Sequence, residues 1–240
     1  MAAARELRLR VGEDDVSAVA VHPAEARALL VLGHGAGAGM RHPFLQALAA
    51  HLADAGIATF RYQFPYTEKN RKRPDPQPLL LATVRAAVEE AAGEARGLPL
   101  LAGGKSMGGR MTSLAAAEGG LAGVAGLVFF GFPLHPAGRP STERAEHLKQ
   151  VELPMLFLQG TRDRLADLAR LRPLCRRLAP RATLHVVEGG DHSFAVPRRA
   201  GRSPDDVHRE LARAVADWAV ALPAGSTPSP GAVGPAAPRA

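Results

Sequence analysis

The sequence predicts an α/β fold with a mostly parallel sheet of about seven to eight strands, and three observations lead to this class. Short strand-like runs alternate with amphipathic segments of helical length. Some of the runs are continuously apolar, as strands covered by helices on both faces are. The 240 residues are 46% hydrophobic, which is enough to bury one full core. We therefore expect one domain over residues 1–222 and a disordered tail, rich in proline, glycine and alanine, over 223–240.

Alternating residues near the start of the chain predict a β-hairpin at a sheet edge. Apolar and charged side chains alternate over residues 7–11. After the turn-prone residues 12–15, Val16, Ala18 and Ala20 alternate with Ser17, Val19 and Val21. Further strands are predicted at residues 28–32, 57–62, 99–102, 124–131, 155–160 and 183–188.

Apolar residues at helical spacing predict the helices that connect these strands. They are expected at residues 43–55, 79–95, 110 onwards, 167–178 and 203–222. The last helix has the clearest start, with Ser203 suited to the N-cap and Pro204 to the first helical position. Residues 133–151 form the one sizeable insertion, which is too short for a separate lid domain. We therefore expect an open site whose substrate is small or is carried by a larger partner.

A candidate nucleophile lies where the strand at 99–102 meets the following helix. Gly104, Ser106 and Gly108 fit the pattern G-x-S-x-G, which is typical of a tight strand-to-helix turn that exposes a serine hydroxyl. The adjacent Gly-Lys-Ser could also suggest a phosphate-binding loop, but that motif requires a glycine at position 99, which is proline. The context of strand, glycines and helix therefore favours a nucleophilic serine.

A serine hydroxyl needs a base, and the base needs a carboxylate that orients it. Parallel strands end at one edge of the sheet, so residues that follow different strands can meet there. Asp163 follows the strand at 155–160, and His192 follows the next strand, which gives the chain order Ser, Asp, His. Asp167 is the alternative acid, whereas Asp191 is disfavoured because it is adjacent to His192 in the chain.

Two backbone amides are candidates for holding a negatively charged oxygen. The amide of Met107 begins the helix after the serine, and the amide of Ala36 lies in a glycine-rich loop over residues 33–39. We expect His34 to support this loop through a hydrogen bond. The loop does not fit the dinucleotide-binding pattern G-x-G-x-x-G, because position 38 is alanine.

The composition argues against several other classes of function. The net charge is +7, but there are only four lysines and the arginines are scattered, so we expect no nucleic-acid partner. The basic cluster at 69–73 is either a solvated loop or a patch that steers an anionic substrate or partner. The single cysteine, Cys175, is expected to be structural. Because no signal peptide and no run of 18 apolar residues is present, we expect a soluble, cytoplasmic protein without membrane contact. No cofactor or metal is expected.

Taken together, the motifs around Ser106, Asp163 and His192, with His-Gly-Ala-Gly-Ala-Gly upstream, resemble those of the α/β-hydrolases. The segment Phe-Arg-Tyr-Gln-Phe-Pro-Tyr and the stretch Gly-Gly-Lys-Ser-Met-Gly-Gly-Arg are similar to a narrower group of small hydrolase-like proteins. That group includes the testis-expressed protein 30 type and a hydrolase-like domain of a chromatin-complex subunit, beside the dienelactone hydrolases. The resemblance implies an α/β-hydrolase fold and a catalytic role for the three residues, although some relatives serve as binding scaffolds.

Two hypotheses about function follow. In the first, the protein is a serine hydrolase that cleaves a small carboxylic ester or thioester, with Met107 and Ala36 holding the oxyanion. Peptide bonds are less expected substrates, because no large lid restricts access. In the second, a non-catalytic module binds a partner through the basic cluster at 69–73 or the insertion at 133–151.

Overall fold

The structure is a computed structural model that describes residues 4–222. Eight strands form one sheet. They are β1 (Ala4–Val11), β2 (Asp14–Val21), β3 (Ala28–Gly33), β4 (Ile57–Tyr62), β5 (Leu100–Lys105), β6 (Val124–Phe130), β7 (Met155–Gly160) and β8 (Ala182–Val187). The tail predicted over residues 223–240 lies outside the described residues.

The strands are arranged in the order β1-β2-β4-β3-β5-β6-β7-β8. The first two form the predicted antiparallel hairpin at the sheet edge, and β2 pairs antiparallel with β4. All remaining neighbours are parallel. Strands β3 to β8 therefore end at the same edge, and the predicted fold class is confirmed.

Helices cover both faces of the sheet. They are α1 (Pro43–Asp54), α2 (Pro65–Glu68), α3 (Gln77–Glu94), α4 (Met107–Ala117), α5 (Leu168–Arg177) and α6 (Pro204–Val220). Successive side chains of a strand point to opposite faces. In β3, Leu29 and Val31 contribute to the core under α3, α4 and α5, whereas Leu30 and Leu32 contribute to the core under α1 and α6. Across residues 4–222, no helix combines the length and apolar character that a membrane crossing needs.

The differences from the sequence prediction are local. The one-turn helix α2 was not predicted, because four residues are too few to show a helical period. Helix α3 begins at Gln77, two residues earlier than expected, since Pro78 is tolerated in a first turn. Strand β5 continues past Ala102 through two glycines to Lys105.

The two surfaces considered for partner binding are partly engaged within the chain. In the basic cluster at 69–73, Lys69 forms an ion pair of 2.6 Å with Asp14, and Arg71 forms one of 2.6 Å with Asp75. The insertion at 133–151 contains a 3₁₀ helix, Glu143–Gln150, that packs against α4.

Candidate active site

Ser106 occupies a strained turn between β5 and α4. Its backbone has φ 51° and ψ −111°, in the positive-φ region that residues other than glycine rarely adopt. The flanking glycines are required by space. A Cβ atom on Gly104 would lie 2.5 Å from the carbonyl oxygen of Gly33, and one on Gly108 would lie 2.4 Å from it. The close approach of β3 to this turn therefore explains both glycines of the G-x-S-x-G pattern.

His192 lies beyond β8 and connects the serine to an acid. Its Nε2 is 2.9 Å from the Oγ of Ser106, and its Nδ1 is 2.7 Å from the Oδ2 of Asp163. A carboxylate can only accept, so Nδ1 carries the proton and Nε2 is free to accept the serine proton. The side chain of His192 is 27% exposed, and solvent or substrate can therefore reach it.

Asp163 is held as a buried carboxylate at the end of β7. Its side chain has no exposed surface, and a buried charge of this kind requires hydrogen-bond donors. Besides His192, it accepts from the backbone amide of Leu165 at 2.8 Å and from the side-chain amide of Gln159. These donors fix the carboxylate that orients the histidine ring.

The other two aspartates considered from the sequence bind backbone amides instead. Asp167 is the N-cap of α5, where its Oδ1 accepts from the amide of Ala169 at 2.8 Å. Asp191 accepts from the amides of Ser193 and Ala195 at 2.8 and 2.9 Å, and so stabilises the turn that carries His192. Of the three acids, the structure brings Asp163 alone to His192 Nδ1.

The two amides predicted to bind an oxyanion lie on separate elements. Met107 is the first residue of α4, and the first amides of a helix have no intrahelical acceptor. Gly35 and Ala36 line the same cavity as Ser106. Both positions are compatible with the predicted role, which stays a prediction.

His34 fixes the loop that carries Ala36. It is fully buried, its Nδ1 donates to the carbonyl oxygen of Gly35 at 2.9 Å, and its Nε2 accepts from the amide of Phe64 at 3.1 Å. Burial lowers the pKa of His34 to about 4, so the ring is neutral near pH 7. The supporting hydrogen bond predicted from the sequence is therefore present.

The site contains two side chains that the sequence reasoning missed. Gln159 is a buried polar residue in an otherwise apolar strand, a signal that was available in the sequence. Lys105 precedes the serine, and its Nζ lies 3.2 Å from His192 Nε2. Burial lowers the pKa of the Lys105 amine to about 8, although Asp163 and Asp191 act in the opposite direction. Its position in the motif was visible, but its orientation toward the histidine depends on the turn.

Ser106, His192 and Lys105 open into a cavity of about 330 Å³. Its other walls are largely apolar and include Phe44, which stacks on Phe194 at a centroid distance of 5.8 Å. Larger clefts of about 430 and 610 Å³ lie elsewhere, but neither is lined by Ser106 or His192. The chemistry therefore identifies the smaller cavity as the candidate active site.

The described residues offer neither a metal site nor a reactive thiol. Within residues 4–222, no group of three or more histidine, cysteine, aspartate or glutamate side chains could hold a metal ion. Cys175 is buried, and burial raises the pKa of its thiol to about 11. The thiol is thus protonated near neutral pH and a weak nucleophile.

The comparisons with known proteins agree with this fold. The structure is similar to the dienelactone hydrolase from Anabaena variabilis, with a TM-score of 0.74, 21% identity, and coverage of 92% of this chain and 98% of that one. A lidless α/β serine hydrolase from Xanthomonas campestris has a TM-score of 0.68 and 22% identity, with coverage of 92% and 96%. An α/β serine hydrolase homologue from Coxiella burnetii has a TM-score of 0.70 and 19% identity, with coverage of 88% and 96%.

At these identities the solved structures establish likeness of fold. The family comparison goes further, because a family model described as an alpha/beta hydrolase domain matches residues 26–220. This match includes β3 to β8 and the elements that carry the serine, the aspartate and the histidine. The chain therefore belongs to the alpha/beta hydrolase domain family.

Proposed function

We propose that the protein is a serine hydrolase that cleaves carboxylic esters or thioesters through a covalent acyl-enzyme. The observation that carries this proposal is the hydrogen-bonded series from Ser106 to His192 to Asp163, with distances of 2.9 and 2.7 Å. Ser106 and His192 both line a cavity. A nucleophile, a base and an orienting acid in this geometry are what acyl transfer requires.

In the first half of the reaction, the Oγ of Ser106 attacks the carbonyl carbon while Nε2 of His192 takes the serine proton. The carbonyl oxygen becomes negatively charged in the tetrahedral intermediate, and the amides of Met107 and Ala36 donate hydrogen bonds to it. The intermediate then collapses, the bond to the leaving oxygen or sulfur breaks, and His192 gives its proton to that atom. An alcohol or a thiol departs and the acyl group stays on Ser106.

In the second half, water replaces the leaving group. His192 takes a proton from the water, whose oxygen attacks the acyl carbon, and the second tetrahedral intermediate releases a carboxylic acid and returns the proton to Ser106. The carboxylate of Asp163 stabilises the imidazolium that forms in each half. Its buried position, without exposed side-chain surface, makes that charge interaction stronger than it would be in water.

The cavity favours a small acyl group. Its volume of about 330 Å³ and its apolar residues, such as Phe44 and Leu45, suit a short hydrocarbon chain better than a peptide segment. Esters and thioesters use the same groups, so both belong to the proposal. The alternative of a non-catalytic binding module has less support, because Lys69 and Arg71 form ion pairs within the chain and the 3₁₀ helix of the 133–151 segment packs against α4.

The replacement Ser106→Ala tests this function. We expect turnover of 4-nitrophenyl butyrate and of a butyryl thioester to fall by about 10⁴-fold or more, because the nucleophile is lost while the fold is retained. Initial rates of the purified proteins, with circular dichroism as the check on folding, measure the effect. Ser141→Ala is a matched control, since this serine does not line the cavity, and it should keep the parent rate. Undiminished turnover by Ser106→Ala would contradict the proposal.

A further inference from the structure

In the candidate site, the side chains of Ser106 and Lys105 both face one acceptor, the Nε2 atom of His192. Nε2 of His192 lies 2.9 Å from the hydroxyl of Ser106 and 3.2 Å from the amine of Lys105. A neutral imidazole whose Nδ1 carries the proton has a single lone pair, on Nε2. The proton on Nδ1 is fixed by Asp163, so the ring cannot switch tautomer to serve both donors.

The ammonium form of Lys105 has no other strong partner in the described part of the chain. No carboxylate oxygen of residues 4–222 lies within the 4.0 Å of its Nζ that an ion pair would require. A charged donor makes a stronger hydrogen bond than a neutral hydroxyl. When Lys105 is protonated, its ammonium therefore competes with the Ser106 hydroxyl for the lone pair of Nε2.

We infer that Lys105 is a positioning residue that acts through His192. Its protonated amine donates to Nε2 and prevents the hydrogen bond from Ser106, whereas its neutral amine leaves Nε2 available to Ser106. A neutral amine is a poor donor, so the serine hydroxyl regains Nε2. Protonated Lys105 also opposes the reaction itself, because the imidazolium that forms during attack would lie beside a second positive charge. This inference rests on the proposed function, and it adds that the charge of Lys105 sets the pH range in which Ser106 is reactive.

The charged groups that face Lys105 come from several elements. Asp163 after β7 and Asp191 after β8 favour the ammonium, whereas burial disfavours it and prevails, which lowers the pKa to about 8. The loop after β3 presents Gly35, and the end of β6 presents Gly131, neither of which can titrate. His192 and the ring of Phe194, 5.9 Å from Nζ, also lie beside the amine, and His42 lines the same cavity. Arg162 and Arg164 line an adjoining cleft together with Asp191 and His192.

The charge state of Lys105 changes over the neutral to mildly alkaline range, because burial lowers the pKa of its amine to about 8. Its Nζ lies 3.2 Å from His192 Nε2, so this change alters the donor that faces the base. At pH 7 roughly one molecule in ten then has a neutral amine, and the apparent reactivity of Ser106 is reduced by that fraction.

The experiment measures the rate of Ser106 labelling by a fluorophosphonate probe from pH 6 to pH 10. Three variants are compared with the parent: Lys105→Met removes the charge at similar length, Lys105→Arg keeps a charge that does not titrate in this range, and Lys149→Met is the control at an exposed lysine outside the cavity. The probe reads the activated serine directly, so no natural substrate is needed.

We expect the parent rate to rise with a midpoint near pH 8. Lys105→Met should label about tenfold faster at pH 7, because no ammonium competes for Nε2, and its rate should no longer rise with a midpoint near pH 8. Lys105→Arg should stay slow up to pH 10, and Lys149→Met should follow the parent. A merely structural role would change the rate by one factor at every pH and leave the midpoint in place.

The remaining outcomes distinguish the role of Lys105 from the proposed hydrolase function. Labelling in which Lys105→Met and Lys105→Arg share the parent midpoint overturns the role of Lys105 and leaves the serine hydrolase intact. If Lys105→Met fails to fold, Lys105→Arg decides, because a parent-like rate at pH 9 overturns the inference. No labelling of any protein at any pH overturns the proposed function and this inference together.

Discussion

Ser106 combines backbone strain with a well-supported environment. A non-glycine residue at φ 51° is held there only where its surroundings determine the conformation. Here the carbonyl of Gly33 and helix α4 pack closely against the turn and restrict its conformation. The Ser106 hydroxyl is hydrogen-bonded to His192, which is bound in turn to Asp163. Gln159 supplies the less visible support, since it donates to the buried carboxylate of Asp163. The reactive geometry thus depends on residues that do not touch the substrate.

His34 gives a prediction about stability and pH. Its pKa is about 4 in the folded protein against an ordinary value of 6.5, so the unfolded chain binds a proton more readily than the folded one. The stabilisation is complete above pH 6.5 and is lost as the pH falls through about 4. The free energy of unfolding should therefore contain a contribution from His34 that is about 2 kcal/mol smaller at pH 5 than at pH 7.

Urea unfolding of the parent and of His34→Gln at pH 7 and pH 5 measures this contribution. The variant should be less stable at pH 7, because the loop loses a hydrogen bond to Gly35 or Phe64. Its free energy of unfolding should, however, change less between pH 7 and pH 5 than that of the parent protein. His147, whose pKa burial also lowers to about 4, is present in both proteins and cancels. Equal pH dependence in the two proteins would show that His34 does not bind its proton more weakly in the folded state.

At the scale of elements, the strand-turn-helix unit of β5 and α4 depends on close packing against β3. A Cβ on Gly108 would lie 2.4 Å from a backbone oxygen of β3, which cannot move without displacing the strand. Gly108→Ala should therefore lower the free energy of unfolding by about 2–4 kcal/mol and abolish ester turnover. Gly93→Ala is the matched control, because this glycine lies in the last turn of α3 with nothing within 4 Å of the added methyl group.

The two alanine variants should change stability in opposite directions. Gly93→Ala should raise the free energy of unfolding by about 0.5 kcal/mol, because alanine loses less backbone entropy in a helix than glycine does. Chemical denaturation followed by circular dichroism provides both values. Parent-like stability and turnover in Gly108→Ala would show that the turn can open, and would contradict the packing account.

At the scale of the whole molecule, the parallel sheet determines where chemistry can occur. Strands β5, β7 and β8 end at one edge, and the residues that follow them are Ser106, Asp163 and His192. Strand β3 ends at the same edge and contributes the loop with Ala36. Ser106 and His192, which are 86 positions apart in the chain, therefore meet because of strand direction and order.

Much of this arrangement is predictable from the sequence, because strands and long helices produce periodic patterns. The hairpin, the strand at Ile57–Tyr62 and the Ser203 N-cap of α6 follow from alternation, apolar runs and capping residues. The candidate site follows from one further rule, that parallel strands share an edge. The family resemblance agrees with the alpha/beta hydrolase domain match, whereas the narrower likeness to testis-expressed protein 30 stays a prediction.

The remaining features depend on tertiary contacts that no local pattern encodes. Helix α2 is a single turn, and its start at Pro65 resembles an ordinary loop proline in the sequence. The contact between Lys105 and His192 joins residues 87 positions apart, and it requires both the strained turn at Ser106 and the turn fixed by Asp191. Side-chain orientation at a strand end is determined by such turns, and local sequence patterns do not specify it.

The most direct test of the central claim is to count covalent adducts of a fluorophosphonate probe by intact mass at pH 9. We expect one adduct per chain on the parent protein and none on Ser106→Ala, because the probe reacts with a serine whose proton a base can take. An adduct on Ser106→Ala would place the reactive residue elsewhere. A folded parent protein that takes no adduct would contradict an activated serine at this site.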